Sequence, residues 1–213
     1  MTTSLVAPNL HNLSSIKLRI DNDIHELSGS LPDPKHLSSE QRRGIIARYS
    51  AVLEGNFIYW MTAAYLSVRS EEARPIIIDN LREEVGDGHP EMLRRFAIAA
   101  HAFPTDTDAL AVRDSVKDVR LFLGRLSGVP NLITMGFFES FIQRFMPYLA
   151  ELAQAQGSKE MEYTDVHGVC DIAHSEGLFL AVSAEMEINP PDPAVNLFEG
   201  VTLLRALIKE IVQ

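Results

Sequence analysis

His167, Asp171 and His174 stand at positions i, i+4 and i+7 of the run Tyr163-Thr-Asp-Val-His-Gly-Val-Cys-Asp-Ile-Ala-His174. On an α-helix that spacing puts all three on one face over about two turns. Two imidazoles and a carboxylate in an otherwise apolar segment are costly to bury without partners. They are also donors that iron or zinc uses. The stripe therefore asks for a helix whose neighbours supply either hydrogen bonds or further ligands.

The rest of the chain offers helices to do this. Apolar positions recur loosely over 9–28, and Ser-Gly-Ser-Leu-Pro-Asp-Pro breaks the chain at 28–34. Ser38-Ser39-Glu40 reads as an N-cap with acid in the first turn. The helix it opens runs through Ile45, Tyr49, Leu53, Phe57 and Trp60 to about Val68, with Gly44 and Gly55 as its weak points. A helix over Glu71–Glu84 ends in Val85-Gly-Asp-Gly-His-Pro90, where two glycines stop one helix and the proline starts the next, at 91–102. Pro104-Thr-Asp-Thr-Asp108 caps a helix to about Leu126, and Gly128-Val-Pro130 breaks the chain again. Residues 131–155 form a long helix with an expected kink at Pro147. The stripe lies on a helix over about 160–187, and after Asn189-Pro-Pro-Asp-Pro193 an amphipathic helix closes the chain at 194–212. No strand, internal repeat or composition shift is evident. The expectation is an all-α bundle of seven or eight helices, in one domain over 1–213.

Composition excludes several classes of function. The chain has 213 residues and a formal charge of −10, with Lys and Arg scattered, so there is no footprint for nucleic acid. No apolar run approaches the roughly 18 residues that span a bilayer, and Met-Thr-Thr-Ser-Leu-Val-Ala-Pro lacks the pattern of a signal peptide. The single cysteine, Cys170, suits a reducing compartment, so the expected location is the cytoplasm.

Other segments offer the missing ligands. Glu83-Glu84 end one helix, His89 follows just past the glycine turn, and Glu139 sits in the almost wholly apolar Met135-Gly-Phe-Phe-Glu-Ser-Phe-Ile. Taken singly, each has a plainer reading. Glu83-Glu84 would be a solvated helix end, His89 a loop or capping residue, Glu139 a water-facing acid, and the stripe a hydrogen-bonded polar seam. Together, carboxylates and three imidazoles spread over several helices are what a bundle uses for a dinuclear iron or manganese centre.

These residues also carry a resemblance. Asn80-Leu-Arg-Glu-Glu-Val-Gly-Asp-Gly-His-Pro-Glu, then Glu139, then His-x-x-x-Asp-x-x-His resemble the haem-oxygenase-like diiron oxidase superfamily, over about residues 40–185. Thiaminase-II-like proteins and the pyrroloquinoline-quinone synthase share that fold without the iron pair. The resemblance implies a seven-helix haem-oxygenase-like bundle. It also implies two Fe(II) ions held by Glu84, His89, Glu139, His167, Asp171 and His174, with dioxygen as cosubstrate. Glu83 is the alternative to Glu84, and some members place their histidine later, where this chain has Arg94. N-oxygenating members add a carboxylate on the earlier long helix, for which Glu54 is the candidate.

The implied substrates are small carboxylates such as amino or fatty acids. The implied outcomes are desaturation, C–C cleavage, decarboxylation, N-oxygenation or closure of small aza-rings. Arg48, Tyr49, Arg120 and Arg144 are candidates to hold the carboxylate, while Phe57, Tyr59, Trp60, Tyr65, Phe137, Phe138 and Phe141 either line an apolar pocket or pack the core. The expectation is C–H oxidation of a free aliphatic amino acid, with no nucleic-acid or membrane partner and, by analogy, a homodimer. The competing classes are a metal-free thiaminase-II-like hydrolase and a non-enzymatic helical protein.

Overall fold

The computed structural model describes residues 12–213, so residues 9–11 of the expected opening helix and the segment read for a signal peptide lie outside it. Eight α-helices follow in order among the described residues, with no strand: α1 Leu13–Gly29, α2 Ser39–Ser67, α3 Ala73–Gly86, α4 His89–Ala99, α5 Asp106–Leu123, α6 Gly128–Ala155, α7 Glu162–Ile188 and α8 Glu199–Ile211. A short 3-10 turn, Pro34–His36, sits between α1 and α2. The all-α bundle expected from the periodicity is thus observed.

The ends of the helices follow side-chain chemistry. Ser38 caps α2 in a reciprocal box: its hydroxyl accepts from the Gln41 amide, and Gln41 Oε1 accepts from the Ser38 amide at 2.8 Å. Thr105 and Asp108 form the same box at the start of α5. There Arg43 on α2 also pairs with Asp108 at 2.8 Å, tying the two helices together.

One expectation about helix breaks is corrected. Gly128-Val-Pro130 forms the first turn of α6, where a proline has no amide partner to lose. Pro147 lies within α6, which continues as one helix on both sides of it. A break in a long helix lies in α2, where Glu54 (ψ 104°) and Gly55 (φ 79°) leave helical geometry. A positive φ is easy for glycine and strained for any other residue, so Gly55 permits the break.

The longest packed pair is α6 against α7, with α2 and α8 laid on α6 and α3 on α7. Trp60, Phe137, Phe138, Phe141 and Phe145 are fully buried between them, and the Trp60 and Phe138 rings meet edge to face at 5.3 Å. Of the aromatics considered as pocket residues, Trp60, Phe137, Phe138 and Phe141 therefore pack the core. Tyr59 is exposed, and Phe57 alone of that set lines the cavity described below.

Candidate metal centre

Four helices bring the six residues together. Glu84 stands on the last turn of α3. Gly88, with φ 72° and ψ 33°, reverses the chain so that His89 begins α4 and faces back toward it. Neither a loop position nor a capping role describes His89. It is the first residue of a helix and is 4 % exposed. Glu139 comes from α6 and is 1 % exposed, and the stripe on α7 faces it, with Asp171 at 0 %.

The donors form two groups. Glu84, His89 and His167 each present a ligand atom, and these atoms lie within 4.8 Å of one another. His89 Nδ1 is 2.9 Å from Glu84 Oε1, and His167 Nε2 is 3.9 Å from the same oxygen. Asp171 and His174, with Cys170, make a second group within the same span. His174 Nδ1 lies 3.8 Å from Asp171 Oδ1 and 3.9 Å from Glu139 Oε1. Glu139 also lines the cavity shared by Glu84, His89 and His167, and so faces both groups.

Neighbours fix which imidazole nitrogen is free. The Nδ1–H of His167 donates to the Tyr163 carbonyl at 2.8 Å, leaving the Nε2 lone pair for the site. His174 Nε2 lies 2.8 Å from Glu83 Oε2; with its N–H donating there, the Nδ1 lone pair turns toward Asp171 and Glu139. The two adjacent glutamates therefore divide their work. Glu84 is buried among the histidines, while Glu83 is half exposed and grips His174 from outside.

Of the buried side-chain atoms without a hydrogen-bond partner among the described residues, three lie at this site: Glu139 Oε1, Asp171 Oδ2 and His174 Nδ1. Orphaned donors and acceptors in a protein interior are costly, and here three of them converge. Charge points the same way. Burial, and then the Asp171 and Glu84 carboxylates, hold the Glu139 carboxyl well above its usual range. Burial pushes Asp171 up to about 8, helped by Glu84 and opposed by the Cys170 thiol hydrogen bond. Burial pulls His167 down to about 4. It also pulls on His89, but the contact with Glu84 outweighs it and raises that imidazole. Burial pushes the Cys170 thiol up as well. No lysine or arginine lines the cavity. Divalent cations would satisfy both the orphaned atoms and the crowded carboxylates, so the residues present fit a metal centre.

Beside the donors lies a small cavity of about 30 Å³, lined by Leu53, Phe57, Ile58, Leu93, Ile142 and Tyr163. The break in α2 places Glu54 and Gly55 on its wall, with Glu54 exposed.

A family model described as iron-containing redox enzyme matches residues 47–207. The chain belongs to this family. The match spans every residue of the centre and bears out the haem-oxygenase-like resemblance, so the iron-containing redox enzymes supply the setting in which its buried carboxylate–histidine cluster is understood. No curated protein matches the chain. Among the described residues, no helix is long and apolar enough to cross a membrane.

The basic residues considered for the substrate carboxylate are engaged elsewhere. Arg48 donates to the Ile211 carbonyl at 2.9 Å, Arg120 to Asn56 Oδ1 at 2.7 Å, and Arg144 to Asp21 at 2.7 Å. Tyr49 bonds the Tyr163 hydroxyl at 2.7 Å. Arg94 stacks over Phe103. Three residues at the site were not singled out in these roles from the sequence. Tyr163 is at i−4 from His167, so helical spacing carried that signal. Cys170 lies between two ligand candidates. The grip of Glu83 on His174 joins residues far apart in the chain and left no local trace.

Proposed function

We propose that this protein is a dioxygen-dependent non-haem diiron oxidase that oxidises a C–H bond of a small carboxylate substrate, a free aliphatic amino acid, by desaturation or aza-ring closure. The observation that carries the proposal is the pair of buried donor groups joined by Glu139, with their unpartnered atoms, beside an apolar cavity. In this reading Glu84, His89 and His167 hold one ion, Asp171 and His174 hold the other, and Glu139 serves both. Bound iron would supply the electrons that reduce dioxygen and the oxidising power for the C–H bond.

The protein's own residues do the rest. The Tyr163 carbonyl and Glu83 hold two imidazoles in the tautomers that present lone pairs inward. Leu53, Phe57, Ile58, Leu93 and Ile142 give a dry wall for an aliphatic chain. In this reading Glu54, an exposed carboxylate on that wall, would meet the ammonium of an amino acid.

Anaerobic titration of the apo-protein with ferrous iron, followed by dioxygen and a panel of amino and fatty acids, tests this. Binding of about two ions per chain, with oxygen uptake that depends on one class of acid, is expected. No iron retained at saturating supply would refute it. A second reading, N-oxygenation of an amine with Glu54 as an additional ligand, is favoured only by the position of Glu54 on the cavity wall. Unchanged iron uptake and turnover in Glu54→Ala would remove it.

A further inference from the structure

We propose that Cys170 donates a thiolate to the ion held by Asp171 and His174, making that half of the centre a sulfur-containing, thiophilic metal site. The inference rests on the dinuclear reading above and adds a ligand to it. Cys170 falls three residues after His167 and four before His174, on the flank of the ligand stripe of α7. Its Sγ lies 3.3 Å from Asp171 Oδ1, and His174 Nδ1 lies 3.8 Å from the same oxygen. Metal–ligand bonds of about 2.0–2.3 Å in a tetrahedral shell set neighbouring donor atoms about 3.3–3.6 Å apart. Two of the three donor separations are thus already close to the edges of such a shell, and the third is within 4.8 Å.

The independent mark of a missing ligand is the state of the neighbours. Asp171 Oδ2 and His174 Nδ1 have no hydrogen-bond partner, although Asp171 is 0 % and His174 4 % exposed. Glu139 Oε1, 3.9 Å from His174 Nδ1, is orphaned in the same way and completes a set of four donors. The other half, Glu84, His89 and His167, offers oxygen and nitrogen alone. The two halves therefore differ in softness. Zinc and cobalt should prefer the half with Cys170, and harder ions the half with Glu84. On binding, the thiol proton leaves to solvent.

Cobalt(II) is the probe, added anaerobically to apo-protein and read by absorption. The wild type should show visible d–d bands together with a near-ultraviolet thiolate-to-cobalt band. Cys170→Ser should keep visible bands, lose the near-ultraviolet band, and bind cobalt roughly tenfold or more weakly, since even groups that only orient ligands are worth that much. Because Cys170 is the single cysteine of the chain, its alkylation rate is a second readout on unaltered protein, and cobalt should slow it by a similar factor. Visible bands without a thiolate band, and unprotected alkylation, would overturn the role of Cys170 while leaving the dinuclear centre standing. Failure of the wild type to bind cobalt or iron at all would overturn both.

Discussion

Replacing Glu139 by Leu should make the apo-protein more stable and the iron-supplied protein less so. Glu139 is 1 % exposed, its Oε1 has no hydrogen-bond partner, and burial beside two other carboxylates holds its proton in place. A buried polar group left unsatisfied costs about 1–3 kcal/mol, and an apolar group of similar size removes that cost. The leucine would meet an apolar wall that includes Leu53, Phe57 and Ile142. A gain of about 1–3 kcal/mol in a chain of this length raises the unfolding midpoint by roughly 3–10 °C. Far-ultraviolet circular dichroism on chelator-treated protein reads this directly. Ferrous iron, added without oxygen at about a hundred times its dissociation constant, should then stabilise the wild type by about 2.7 kcal/mol. It should do far less for the variant, which lacks the carboxylate facing both donor groups. The order of midpoints would narrow or reverse on adding metal. If the apo variant unfolds more than about 1 kcal/mol more easily than wild type, Glu139 has a structural partner in solution and the argument from its isolation fails.

The remaining expectations use the same centre. His174→Ala should lower iron occupancy and abolish oxygen uptake together, measured as metal per chain and oxygen consumption; loss of either alone would separate this histidine from the centre. Glu83→Ala should weaken iron binding about 10–100-fold while leaving the buried donors in place, because it removes the grip on His174 Nε2, and unchanged affinity would deny Glu83 that positioning role. The apo-protein should lose stability as pH rises from about 6.5 to 8. Asp171, lifted to about 8, together with the raised Glu139 and His89, keeps protons that the unfolded chain no longer holds over that window, and Asp171 alone contributes a fall of about 2 kcal/mol. Below about 6.5, His167, lowered to about 4, acts in the opposite sense and mutes the slope. Apo stability that is flat or rising between pH 6.5 and 8 in denaturant titrations would refute the assignment of protons.

The helices could be read from the sequence because their ends are written in short-range chemistry. Ser38 with Gln41, and Thr105 with Asp108, sit at the starts of α2 and α5, and the Gly86–Gly88 turn separates α3 from α4. The stripe on α7 was readable for the same reason, since three residues in seven share one helical face. What lay beyond the sequence were choices between equivalents. Gly55 and Pro147 both offer a break in a long helix. The chain bends at Gly55, where positive φ is free of strain, and continues past Pro147, where the surrounding α6 remains packed. Likewise Glu83 and Glu84 are chemically identical neighbours, and only the approach of α7 decides which turns inward. The arginines weighed as substrate partners each find an acceptor on a distant segment, as Arg48 does at Ile211.

The donors come from chain segments that are local within themselves and distant from one another. Glu84 and His89 are joined across one glycine turn, whereas the stripe on α7 lies roughly 80 residues further on, a span whose closure costs several kcal/mol of chain entropy. An ion shared between these segments would act as a reversible cross-link, tethering the α3–α4 corner to α7 much as a disulfide would in a secreted protein. Its strength would be set by ion supply. The corner's opening rate, followed by amide hydrogen exchange at residues 80–95, would then report on how much iron the protein holds.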